Sequence, residues 1–121
     1  MPDLRRHIFQ AEKNERFFDQ FDLDTTPFLD WAVTGLFYSA LHYVDAFLAK
    51  QNVHPQTHEQ RDWILARTRN ISAIYAEYQE LKDINRSIDA RYKVIKFRPQ
   101  IVKDLKKNQF DKIKAHLRPL L

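Results

Sequence analysis

The chain has 121 residues, 44% hydrophobic and 30% charged, which indicates one domain (1–121) able to bury a core without disulfides or a structural metal. It contains no cysteine, so thiolate chemistry is excluded and the cytoplasm is favoured over secretion. No apolar run is long enough for a signal peptide or a membrane span, and the single glycine leaves little turn chemistry for a sheet. We therefore expect a cytoplasmic all-α protein.

The first helix is predicted from Leu4 to Asp22 by apolar residues that recur at helical spacing. Thr26 is a credible N-cap with Pro27 at the first helical position, so a second helix should start there and continue to about Gln51. This second helix is apolar around most of its circumference, which is typical of the central helix of a bundle.

The polar residues of the second helix form one narrow stripe. The stripe comprises Asp30, Thr34, Tyr38, His42 and Asp45. His42 could act as a general base oriented by Asp45, three residues on, or it could be a hydrogen-bonded packing residue. Gly35 lies in the middle of the same helix at a cost of about 1 kcal/mol relative to alanine, which predicts a close approach by another helix.

Three further helices are predicted in the second half of the chain. Thr57 and Gln60 have the spacing of a capping box, which opens a third helix to about Arg67. Asn70 can cap a fourth helix that ends between positions 85 and 92, and the pattern leaves open whether helices three and four are continuous. Residues 93–97 are interpreted as helix continuation or an extended connector.

Pro99 then starts a last helix, whose apolar positions are interrupted by the polar pair Asn108 and Gln109. Those apolar positions are Val102, Leu105, Phe110, Ile113 and Leu117. The whole pattern predicts an up-and-down bundle of four to five helices.

Charge is distributed unevenly, because residues 1–90 carry 10 basic and 14 acidic side chains whereas residues 91–121 carry 10 basic and 2 acidic ones. The candidate anion-binding or nucleic-acid-binding surface consists of Arg91, Lys93, Lys96, Arg98, Lys103, Lys106, Lys107 and Lys114. Such a segment can bind nucleic acid weakly and in a salt-dependent way, or dock on the acidic part of the same chain. Composition does not choose between the two.

Local signatures of catalysis and of metal binding are absent from the sequence. His54 and His58 are four positions apart, but Pro55 disfavours helical geometry at His54, so we expect no metal site there. One glycine cannot build a phosphate-binding loop, and no HExxH motif occurs. We expect no cofactor.

The order of several short motifs resembles the HEPN (higher eukaryotes and prokaryotes nucleotide-binding) superfamily over about residues 10–95. The motifs are Phe-Tyr-Ser-Ala-Leu-His at 37–42, His58 at the start of the next helix, and Arg86 leading to Asp-Ala-Arg-Tyr at 89–92, where the family has Ala-Asp-Tyr. The resemblance implies a helical bundle that pairs into a homodimer. It also implies association with RNA or a nucleotide, often beside a nucleotidyltransferase-like partner protein in a toxin–antitoxin pair.

Many HEPN proteins are metal-independent ribonucleases with an Arg-x(4–6)-His motif. No arginine lies five to seven positions before any of the five histidines here, so that site cannot be transferred to this chain. Our leading hypothesis is therefore a non-catalytic dimeric module that binds a partner protein or nucleic acid through its basic C-terminal surface. One alternative is a divergent ribonuclease or nucleotide-processing enzyme using His42 or His58 with Arg86 or Arg91, and another is a purely structural partner-binding bundle.

Overall fold

A computed structural model describes residues 3–89 and 97–121, and within these ranges the chain is helical without a strand. The helices are α1 (Leu4–Asp19), α2 (Leu29–Lys50), α3 (His58–Leu65), α4 (Tyr75–Asp89), α5 (Pro99–Asp104) and α6 (Asp111–Leu117). A π-helical turn, Leu105–Phe110, joins α5 to α6 into one interrupted C-terminal helix. The predicted all-α bundle is confirmed.

Helix α2 is the centre of the bundle, with 14 of its 22 residues buried. Helix α1 runs antiparallel along it, since His7 lies beside His42 while the carbonyl of Ala11 accepts a 2.7 Å hydrogen bond from Ser39 Oγ. Helices α4, α5 and α6 pack on other sides of α2. An apolar circumference therefore produces a helix with neighbours on several sides.

Gly35 lies where α2 packs against Phe17 and Asn14 of α1. A Cβ atom at this position would lie 2.7 Å from Cδ1 of Phe17 and 3.6 Å from the carbonyl oxygen of Asn14. The absent side chain thus makes room for the Phe17 ring, and the predicted close helix contact is confirmed.

The link between α1 and α2 is longer than predicted. Helix α1 ends at Asp19 rather than Asp22, and α2 begins at Leu29 rather than Pro27. Thr26 Oγ1 accepts a 3.1 Å hydrogen bond from the Phe28 N–H, two residues on, which makes a local turn rather than a helix cap. The first turn of α2 therefore has no side-chain cap.

Helix α3 begins as predicted, because Thr57 Oγ1 accepts from the Gln60 N–H at 3.0 Å. Gln60 Oε1 accepts in return from the N–H of Gln56, at 2.8 Å, one residue earlier than in the usual capping box. Helices α3 and α4 are separate. The prediction that Asn70 caps α4 is wrong, since Asn70 lies in a short 3₁₀ turn, Arg69–Ile71, and α4 begins at Tyr75.

The C-terminal helix buries all five of its predicted apolar residues, and the π turn explains how. Leu105 and Phe110 are five positions apart, a step too long for one face of a regular α-helix. The wider turn places both on the core side, with the Asp111 N–H donating to the carbonyl of Lys106, five residues back. The predicted interruption at Asn108 and Gln109 coincides with this turn.

None of the helices among residues 3–89 and 97–121 combines the length and the apolar character needed to cross a bilayer.

Candidate functional site

Two histidines meet between α1 and α2. The Nδ1 atoms of His7 and His42 lie 3.1 Å apart, and the two rings are tilted by 33°. His7 is 8% exposed, whereas His42 is partly exposed at the surface. A contact of this length needs one ring to donate its N–H and the other to accept, so at most one Nδ1 carries a hydrogen on this line.

A buried ion pair lies beside the histidines and joins α2 to α3. Arg61 Nε donates to Asp45 Oδ1 at 2.7 Å and Nη2 donates to Oδ2 at 3.0 Å, with both side chains less than 10% exposed. Arg61 Nη1 also lies 3.3 Å from Nδ1 of His58. We call the five residues His7, His42, Asp45, His58 and Arg61 the His–Arg cluster.

A second group of polar side chains is buried on α4 and faces α3. Tyr78, Lys82 and Asn85 recur at spacings of four and three, so they share one helix face, and all three are buried. Lys82 Nζ pairs with Asp62. Tyr78 OH, Asp62 Oδ1 and Asn85 Oδ1 are buried and make no hydrogen bond with the described part of the chain. We call these four residues the α3–α4 polar seam.

Burial sets the protonation of the histidines. It lowers the pKa of His7 and of His42 below 6.5, and the neighbouring imidazole lowers the pKa of His42 further. The pKa of His58 is also lowered, by burial first and then by the positive charge of Arg61. Burial raises the pKa of Tyr78. Near neutral pH the cluster therefore presents three neutral imidazoles beside the Asp45–Arg61 ion pair, while Tyr78 of the polar seam is a neutral phenol.

These pKa shifts predict that stability falls with acidity. The unfolded chain binds protons on histidine as the pH drops below about 6.5, whereas the folded state resists them until its lower pKa values are reached. The histidine contribution to the free energy of unfolding should therefore be largest above pH 6.5 and should decrease as the pH falls below 6.5. Urea unfolding at pH 7.5 and at pH 5.5 measures this loss.

The loss should shrink in a His7→Gln/His42→Gln variant, because the two shifted imidazoles are gone. His116→Gln is the matched control, since His116 lies outside the cluster and hydrogen-bonds to the carbonyl of Asn70. Equal wild-type stability at both pH values would show that the imidazoles do not resist protonation.

The residues predicted for the central polar stripe have different hydrogen-bond partners in the structure. Asp45 is buried and pairs with Arg61, whereas His42 contacts His7. These partners differ from the hypothesis that Asp45 orients His42. Tyr38 is partly exposed. Of the two candidate arginines, Arg86 is exposed and its charge acts on His58, while Arg91 lies outside the described residues.

Three residues of the predicted basic surface form ion pairs within the chain. Lys103 pairs with Asp24 and Lys114 with Glu15, each at 2.8 Å, while Lys106 pairs with Asp111 in its own helix. Arg98 and Lys107 are exposed, and neither forms an ion pair with another described residue. Lys93 and Lys96 lie outside the described residues.

Two members of the cluster were missed by sequence reasoning. Ala11 and Phe18 follow His7 after four and eleven residues, so His7 lies on the apolar face of α1. This position on the apolar face is the signal that could have identified His7. Arg61 lies four residues before the buried Leu65 and shares its helix face. A basic side chain at an apolar position signals a buried partner.

No protein-family model, curated protein or solved structure matches the chain.

Proposed function

We propose that this chain is a HEPN-like homodimeric interaction module that contacts RNA through the free cations of its C-terminal segment. The observation that supports the dimer is an exposed aromatic surface along α2 and α1. Trp31 is 58% exposed and Phe17 is 39% exposed, while Tyr38 is half-buried. Trp31, Thr34 and Tyr38 follow one another at spacings of three and four, so they form one uncharged stripe.

A second copy of the chain suits this stripe better than a charged partner does. In a two-fold dimer each residue of the patch meets the same patch on the partner, so a charged stripe would repel itself. Trp31, Thr34 and Tyr38 carry no charge, and aromatic side chains are enriched in the buried centres of interfaces. Light scattering tests the proposal: we expect a mass of about twice 14.6 kDa, and a strict monomer would contradict it.

The ligand surface that we propose comprises Arg98, Lys107 and Lys112, which are exposed and have no ion-pair partner among the described residues. Exposed ion pairs contribute only about 0–1 kcal/mol, so phosphate can also compete for Lys103, which is 42% exposed. Lys114 is less available, because its partner Glu15 is only 15% exposed. The absence of cysteine is consistent with the cytoplasmic location that we propose.

Reversing the three free cations to glutamate should abolish binding of a single-stranded RNA in low salt. Removing three phosphate contacts also flattens the dependence of the binding constant on salt, by about 0.7 per contact for a single strand. Fluorescence anisotropy of a labelled oligonucleotide measures both quantities. Lys114→Glu is the matched control and should change binding less, and equal losses in the control and the triple variant would argue against the surface.

A second candidate is a divergent HEPN ribonuclease or nucleotide-processing enzyme. It is favoured by the His–Arg cluster, where neutral imidazoles lie beside an arginine, a combination suited to proton transfer at a phosphate. Purified protein is incubated with total RNA beside the His42→Ala and His58→Ala variants. Cleavage that both substitutions reduce would support this candidate, and cleavage that neither changes would assign the activity to a contaminant.

A further inference from the structure

The contact between His7 and His42 has the spacing of two ligands on one metal ion. With metal–nitrogen bonds of 2.0–2.1 Å, two ligand atoms of a tetrahedral zinc ion lie about 3.3 Å apart. The observed separation of the Nδ1 atoms is 3.1 Å. Ligand atoms of His7, His42 and Asp45 all lie within 4.8 Å of one another. Three candidate donors from two helices therefore lie close to one another.

The chemistry of these donors selects the class of metal. Two imidazoles with one carboxylate suit zinc and the neighbouring late transition metals, whereas calcium and magnesium prefer oxygen ligands throughout. An imidazole binds a metal through an unprotonated ring nitrogen, and the Nδ1 atoms of the two rings already face each other at 3.1 Å.

Arg61 fits this arrangement as the residue that orients the carboxylate. Carboxylates that bind a metal are usually held by a hydrogen-bond donor of their own, and each carboxylate oxygen offers more than one lone pair. Arg61 uses one direction at each oxygen of Asp45. Each oxygen therefore keeps a lone pair that the guanidinium does not use.

The backbone under the site is fixed, and the site is open to the surface. Ser39 Oγ donates to the carbonyl of Ala11 at 2.7 Å, one helical turn from each histidine, which holds α1 and α2 in register. His42 is partly exposed. His7 and Asp45 are buried, so solvent reaches the site at His42, and three protein ligands leave a fourth position for water or a substrate, as in catalytic zinc sites.

We propose that His7, His42 and Asp45 bind one divalent transition-metal ion of the zinc class, with a fourth coordination position open to solvent. His42 lies one helical turn beyond Tyr38 of the aromatic stripe that we assign to the dimer, so metal binding and the dimer are tested by separate measurements.

Calorimetric titration of the chelator-treated full chain with Zn²⁺ tests the site. We expect one ion per chain in the wild type, and loss of that binding in His7→Gln and in His42→Gln. Cobalt(II) should give the intense visible bands of a tetrahedral complex in the wild type only. Circular dichroism confirms that each variant is folded, and light scattering of the same samples reports the dimer separately.

Two control variants test whether the ion binds at His7 and His42. His116→Gln, outside the cluster, and His54→Gln should both keep the wild-type affinity. Binding that survives in His7→Gln and His42→Gln, or that disappears in His54→Gln, would overturn the assignment. Absence of any wild-type binding heat and cobalt spectrum would likewise overturn it and leave the His7–His42 contact as a hydrogen bond alone.

Discussion

Replacing Arg61 by methionine is expected to lower the free energy of unfolding by about 3–5 kcal/mol, the range for removing one partner of a buried ion pair. Asp45 is only 6% exposed and has both oxygens bound to the guanidinium, so the substitution leaves its carboxylate buried with no compensating charge. The same substitution also removes the connection between α2 and α3. Urea unfolding at pH 7.5 measures the change.

The double substitution Asp45→Leu/Arg61→Met provides the critical comparison. Replacing both charges by apolar side chains removes the uncompensated carboxylate, so most of the lost stability should return. Arg67→Met is the matched surface control, because Arg67 is exposed and stacks on the Trp63 ring, and it should change stability by less than about 1 kcal/mol. A single Arg61→Met variant as stable as Arg67→Met would show that Asp45 does not depend on its partner.

If the chain forms the dimer that we propose, replacing Trp31 by glutamate is expected to raise its dissociation constant at least about 30-fold, which corresponds to about 2 kcal/mol. The substitution removes a large aromatic contact and brings two carboxylates together across the two-fold axis. Trp31 is 58% exposed in the single chain, so the fold of the monomer should be unaffected. Sedimentation equilibrium at several protein concentrations gives the constant.

The control for this prediction is Trp63→Glu. Trp63 is 62% exposed, close to the value for Trp31, but it lies on α3 and stacks under Arg67. The control should leave the dissociation constant within a few-fold of the wild-type value. A larger effect of Trp63→Glu than of Trp31→Glu would move the interface to α3.

The sequence predicts the bundle well because the relevant signals repeat along the chain. Helix α2 is apolar on most sides, and this pattern is sufficient to place it at the centre. The five-residue step from Leu105 to Phe110 was also visible in the sequence, although only the structure identifies it as a π turn.

Helix starts were predicted less well, because they depend on single residues. The Thr57 cap forms as expected, whereas Thr26 has the same chemistry but closes a turn two residues before α2. The Thr26 N–H also donates to the carbonyl of Asp22 at 2.8 Å, which places Thr26 in a turn. Because of this turn, α2 begins at Leu29 rather than at Pro27. A cap motif thus predicts the helix only when no neighbouring turn satisfies the same groups.

The candidate site could be predicted only in part, because its contacts are long-range. His42 was identified from its place on the polar stripe, but its partner His7 lies 35 positions away. Asp45 was paired with His42 by spacing along one helix, whereas Arg61, 16 positions on in another helix, binds it more strongly. Spacing within one helix identifies neighbours on its surface, and it carries no information about which residue an adjacent helix supplies.

The chain contains two tryptophans, one on the proposed dimer interface and one outside it, so fluorescence tests the proposed interface directly. In a Trp63→Phe variant only Trp31 emits, and in a Trp31→Phe variant only Trp63 emits. On dilution through the dimer dissociation range, we predict that the Trp31 emission moves to longer wavelength as the ring enters water, while the Trp63 emission stays constant. A constant Trp31 emission over a range where the mass falls from dimer to monomer would show that Trp31 lies outside the dimer interface.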